Sequence, residues 1–232
     1  LLGLPPTNSL TDTEAAHWQR CLDDARALLV ERHRAAAETV AAVLTCIVPV
    51  RPDPAARGIS ATSADAYGAV AMSAPGDGTS LAVALVHEVA HSVLNATRYL
   101  FDLHRRPDAL GYSPWRDDPR PASGILHGAY AYLAVSRFWR TEAATGDRLA
   151  AFEFARWREA VAGAAERLTD LTPAGARFVV ALRDEVEPWR QEPVDPAIVR
   201  LARAANADHR LRWRLRNLAV DPADAAAVAA AW

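Results

Sequence analysis

Apolar residues recur at helical spacing along most of the chain, and the interruptions to that rhythm divide it into elements. Thr11 followed three residues later by Glu14 is a capping box, which predicts a long helix from there to about residue 42. TCIVPV, 45–50, is a short β-branched run ended by Pro52 and Pro54, and it reads as a strand. GISAT and YGAVAMS flank a short loop and read as two more strands. After Pro75-Gly76-Asp77-Gly78, Thr79 or Ser80 caps a helix to roughly residue 104, with Val86, Val89, Val93 and Leu100 on one apolar face. The segment RRPDALGYSPWRDDPRPASG, 105–124, loses the rhythm and is long for a connection inside a domain, a length tied to function or disorder. Helices follow over about 125–144, 147–169, 173–190 and 196–218, with Thr172-Pro173 and Asp195-Pro196 as N-cap and first-turn pairs. With no internal repeat and no linker, residues 1–232 read as one predominantly helical α+β domain with a small sheet and a helical C-terminal half.

Composition narrows this picture. Apolar residues are 51% and charged residues 23% of 232, the balance of a globular chain able to bury a core. The net charge of −2 gives no global basic field for nucleic acid, and the arginines of HRLRWRLR, 209–216, share no single helix face. No apolar run is long enough to span a bilayer, and LLGLPP lacks the basic start of a signal peptide. Cys21 and Cys46 form no CxxC pair and read as buried reduced thiols of a cytoplasmic protein. All basic residues are Arg, which suits a GC-rich genome. The chain lacks an initiator Met and stops inside the Ala-rich pattern DPADAAAVAAAW, so it reads as trimmed or as one domain of a longer protein.

The chemistry lies in ALVHEVAHSVLNA, 84–96. His87 and His91 are four apart, so on a helix they share a face and can grip one ion, with Glu88 beside them. By composition, HExxH arises by chance in about one such chain in a hundred. This is a zincin-like metal-binding helix, but the third ligand is open. The extension HExxHxxGxxH is absent, because Leu94 and Thr97 occupy its Gly and final His positions. Glu142 on a later helix is one candidate; His127 in GILHGAY, flanked by Gly124 and Gly128, is the other. His17, His33, His104 and His209 sit among charged residues and read as solvated. Three neutral imidazoles would leave the ion at +2 with open positions, which a dianion such as 2-oxoglutarate can fill and neutralise. Its distal carboxylate calls for an Arg; Arg116 and Arg120 are available, unless Asp117 or Asp118 pairs them. Imidazole suits zinc as well as iron. A zinc metallopeptidase with Glu88 as general base is therefore the alternative, and a non-catalytic peptide-binding module a second one.

In order, YGAVAMS, SLAVALVHEVAHSVLNA, YSPWRDDPRP and GILHGAYAYLAVSRFWR resemble the HExxH-motif peptide-modification family. The resemblance covers about residues 60–140, and the helical remainder, including DHRLRWRLRNL, more loosely. It implies an Fe(II)- and 2-oxoglutarate-dependent oxygenase, with O2 as cosubstrate, that hydroxylates a β-carbon of a ribosomally made precursor peptide in natural-product biosynthesis. A radical-SAM maturation enzyme, fused or separate, is an implied partner. Carried onto this chain, the resemblance implies His87, His91 and His127 as iron ligands and Glu88 as a neighbouring carboxylate rather than a peptidase base. Arg116 and Arg120 become anchors for 2-oxoglutarate, and Tyr130, one turn after His127, orients a ligand or packs in the core.

Overall fold

Caps and turns place the elements of the computed structural model, which describes residues 4–53, 58–105 and 110–218. The Thr11 capping box forms: Thr11 Oγ1 accepts the Glu14 N–H at 3.3 Å, and Glu14 accepts the Thr11 N–H at 2.8 Å. It starts α1, Asp12–Arg32. The single helix expected to residue 42 is two. His33 leaves helical geometry (φ −129°, ψ 48°), and α2 resumes at Arg34–Val43. The break turns the His33 ring inward, where it stacks on Phe138 at 4.2 Å and bonds Glu142 at 2.6 Å. That long-range pairing outweighs the local preference for one continuous helix.

The three expected strands are β1 (Cys46–Pro49), β2 (Ser60–Thr62) and β3 (Ala69–Met72). They form one sheet in the order β1-β3-β2, with β1 parallel and β2 antiparallel to the central β3. Helix α3, Gly78–Leu100, follows, capped by Asp77 rather than Thr79 or Ser80. Asp77 Oδ1 accepts the Ser80 N–H at 2.7 Å while Ser80 Oγ accepts the Asp77 N–H at 3.0 Å, so Ser80 fills the third position of the box. The aperiodic segment folds back as a hairpin of β4 (Leu110–Gly111) and β5 (Arg120–Pro121). Helix α4 (Ala122–Ala143) starts directly after it, then α5 (Arg148–Glu166), α6 (Pro173–Trp189) and α7 (Pro196–Asn217). Thr172 and Asp195 cap the last two as their sequence signature required.

Helix α3 belongs to two cores. Its N-terminal half, with Leu81, Leu85 and Val86, packs against α1, β3 and Phe138. Its C-terminal half, through Leu94, joins α4, α5 and α6. The architecture is predominantly helical α+β, as the sequence pattern indicated. Cys21 is buried, whereas Cys46 is exposed, contrary to expectation, because it opens β1 at its solvent side. No described helix is long and apolar enough to cross a membrane. The Ala-rich pattern at 219–232 lies outside the described residues.

Candidate metal centre

Two helices build the centre. His87 and His91 lie one turn apart on α3, their Nε2 atoms 3.1 Å apart, and α4 brings in His127, whose Nδ1 is 3.3 Å from His91 Nδ1. Nitrogens bound at ~2.0–2.1 Å to one ion stand roughly 3 Å apart, so the spacing suits a shared metal. Burial pushes His87 down to about 3, His91 to about 4 and His127 to about 3, with His91 adding to the shift of both neighbours. All three are therefore neutral at physiological pH, the form that ligates. His91, however, offers different ring nitrogens to its two neighbours. As they stand the three do not converge on one point, and among the described residues no group of three or more His, Cys, Asp or Glu is arranged to hold a metal. The donors suit a transition ion by type, charge and proximity.

The cluster opens on a cleft of about 810 Å³, walled by residues 58–64 on one side and by Trp115, Arg120 and Gly124 on the other. A second cleft of about 540 Å³ shares Ser60, His87 and Tyr132 with it. Glu88, only 2% exposed, faces β2, where its Oε1 accepts the Ser60 hydroxyl at 2.7 Å. Its Oε2 is buried with no hydrogen-bond partner. Burial raises the Glu88 pKa, opposed by the Ser60 hydroxyl and by the hydroxyl and N–H of Thr62. The HExxH carboxylate is thus strapped to the edge strand.

Gly128, immediately after His127, makes room for an aromatic wall. A Cβ there would lie 1.8 Å from Trp115 Nε1, so only glycine lets Trp115 rest on α4. Trp115 stacks on Tyr132 at 5.1 Å, and Tyr132 meets the His87 ring edge-on at 5.0 Å. Burial pushes the Tyr132 hydroxyl up to about 12, so it remains protonated. Tyr130, named from the sequence, faces elsewhere: it packs on Phe178 and lines a different cavity, with Phe138 and Arg137. Two residues further along α4 turn the chain by about 200°, which is why Tyr132 reaches the site and Tyr130 does not.

Arg116 and Arg120 both line the cleft, yet each donates to Asp118 at 3.0 Å. Burial raises the Asp118 pKa but the two arginines outweigh it, and the net shift is downward. The cleft cation nearest the histidines is Arg98, three residues past Asn95 on α3, whose Nη1 is 3.1 Å from His127 Nε2. Sequence reasoning missed Arg98 and Tyr132. Arg98 falls at i+7 from His91 on the motif's own face, which was the available signal.

The remaining histidines are not solvated as their charged neighbours suggested. His17 bonds the Pro75 carbonyl at 2.7 Å, His33 is buried against Glu142, and His209 meets the Tyr112 hydroxyl at 3.0 Å. His104 holds Nε2 buried without a partner. Glu142 is no metal ligand here, since it serves His33 and Arg32. Compared with models of known protein families and with curated proteins, the chain gives no match.

Proposed function

We propose that this chain is an Fe(II)- and 2-oxoglutarate-dependent oxygenase that hydroxylates a β-carbon of a ribosomally made precursor peptide. The observation that carries the reading is the third imidazole: His127 from α4 lies against His91 beside an open cleft. His87, His91 and His127 would hold the iron, and three neutral ligands leave its charge for an anionic cosubstrate to balance. When bound, iron and 2-oxoglutarate, with O2, supply the oxidising chemistry that turns C–H into C–OH, the cosubstrate leaving as succinate and carbon dioxide. The protein's own part is positioning. The two clefts meet at Ser60, His87 and Tyr132, giving an extended peptide a path along β2 past the metal ligands. Trp115 and Tyr132 form an apolar wall that keeps water from one side of the reacting carbon. Glu88, held by Ser60, fixes β2 against α3 and so sets the width of that path.

A zinc metallopeptidase is the second reading, favoured by the unpartnered, buried Glu88 Oε2 beside the histidines. Succinate release from 2-oxoglutarate separates the two. It is expected to require Fe(II) and O2, to vanish in His127→Ala and to persist at a reduced level in Glu88→Gln. Zinc-dependent cleavage of unstructured peptides, abolished by Glu88→Gln, with no succinate formed, would replace the oxygenase by the peptidase.

A further inference from the structure

We infer that the second cleft beside the histidines is a subsite for a cationic side chain, arginine or lysine, of the peptide substrate, seated next to the residue that reacts. The inference deepens the reading above and rests on it in one respect, that the substrate is a peptide lying along β2.

The two clefts that meet at Ser60, His87 and Tyr132 differ in charge. Arg98, Arg116 and Arg120 line the larger one, where the lining carboxylate is Glu88, held by Ser60 and only 2% exposed. Asp118 engages Arg116 and Arg120, which still leaves that side positive. The smaller cleft, of about 540 Å³, reverses the sign: Asp77 and Glu153 line it, and among the described residues its lining includes no arginine. The Ser80 N–H holds the Asp77 carboxyl below its usual range, so this carboxylate is charged at neutral pH. A ligand that spans the histidines therefore meets a positive wall on one side and a negative one on the other. Charge complementarity of this kind fixes the direction in which a bound chain lies.

The walls match the rest of a basic side chain. Tyr132, Trp139 and Trp157 give the cleft an aromatic side, and the exposed Leu149 adds an aliphatic one. An arginine or lysine has an apolar stem that packs on such walls and a charged end that favours a carboxylate or an aromatic face. A wholly apolar side chain would bury the two carboxylates without a partner, and an acidic one would be repelled by them. The aromatic cluster already takes a guanidinium in this way: Arg156, which is outside the lining, lies over the Trp157 ring at 4.3 Å. Trp139, half-buried, is the ring left to a ligand's cation. Tyr132 joins this wall to the histidines, with its ring 4.3 Å from Trp157 and 5.0 Å from His87. A side chain seated here therefore belongs to a residue about one or two positions along an extended peptide from the one at the histidines.

The test titrates the chain at low salt with capped alanine pentapeptides that carry arginine, citrulline or glutamate at the centre, read by intrinsic tryptophan fluorescence. Citrulline keeps the shape of arginine without its charge. The arginine peptide is expected to bind at least about ten-fold more tightly than the citrulline peptide, and the glutamate peptide most weakly. Glu153→Gln and, separately, Leu149→Arg, which sets a like charge at an exposed position of the cleft, are each expected to cut that advantage to about three-fold or less. Glu38→Gln, on α2 and lining neither cleft, should leave it unchanged. Thermal unfolding checks that each variant keeps its fold, and the exposed Leu149 position carries the test if Glu153→Gln is destabilised. Equal binding of the arginine and citrulline peptides would overturn the subsite, and so would no binding of either at millimolar concentration. An arginine preference that both cleft variants leave intact would also overturn it, because the cation would then be held elsewhere. These results leave the oxygenase reading to succinate release; a chain that fails there while keeping the charge preference would pass the subsite to a peptidase.

Discussion

His87, His91 and His127 share a property that no single one would reveal: burial keeps each neutral far below the pH at which a free imidazole protonates. Their folded-state pKa values lie near 3 to 4, below an unfolded value of about 6.5. Below that unfolded value the unfolded chain takes up protons that the folded chain refuses. The stability these groups contribute is thus full above about pH 6.5 and is lost as pH falls towards 3 to 4. The metal-free unfolding temperature is expected to drop steadily from pH 7 to pH 4, and the drop should be shallower in a His87→Gln, His127→Gln double variant; parallel profiles would contradict the assignment. Much of this site was legible residue by residue. The i, i+4 spacing of HEVAH puts both imidazoles on one helix face, while Gly128, expected to let two helices approach, instead admits Trp115 from the hairpin. For Arg116 and Arg120 the sequence left anchoring or pairing to an aspartate open, and for Tyr130 ligand orientation or core packing; the structure pairs both arginines with Asp118 and packs Tyr130 on Phe178. Which of several nearby side chains faces a cleft depends on helix phase and on local competitors such as Asp118, and sequence spacing alone fixes neither.

Elements fell where caps and turn residues announced them, and departures occurred where a distant partner intervened. The break between α1 and α2 exists because His33 is drawn into the Glu142–Phe138 pair, more than a hundred positions away in sequence. Glu142 lies within that pair and also receives Arg32 at 2.9 Å, so Glu142→Ala would strand His33 in the interior. A loss of about 1–3 kcal/mol is expected from chemical denaturation, the cost of a buried imidazole left without its partner. Metal binding should be unchanged, which separates this structural role from the ligand role that the motif's spacing also allowed. Gly128 joins two elements. Any side chain there collides with Trp115, and Gly128→Ala is expected to lift the indole off α4, costing about 1–3 kcal/mol and shifting its fluorescence towards that of exposed tryptophan. An unshifted spectrum at full stability would mean that the hairpin does not depend on this seat.

Across the whole molecule, α3 and α4 both enter the two cores and the histidine cluster, so their packing against one another sets the cluster's rigidity. One face of α3 packs Leu81, Leu85 and Val86 against α1 and β3, while the opposite face presents His87, His91 and Arg98 to the cleft. The hairpin that lines that cleft is held from outside by α7: Arg216 pairs with Asp117, and Asn217 donates to the Asp117 carbonyl at 2.8 Å. The sequence showed α7 as a solvated basic helix, and its clasp on the loop is visible only once the chain closes on itself. For the same reason Leu211→Ala, on the exposed side of α7, should leave stability within about 0.5 kcal/mol, whereas Trp213→Ala, buried against Tyr112, should cost about 3–5 kcal/mol by denaturant unfolding. The central claim, a three-histidine iron centre that takes 2-oxoglutarate, is tested most directly by an anaerobic visible spectrum of the metal-free chain. Fe(II) is added first and 2-oxoglutarate second. The expected result is a charge-transfer band that needs both additions and is lost in His127→Ala. A spectrum that stays featureless after both additions, with zinc held tightly instead, would contradict the account.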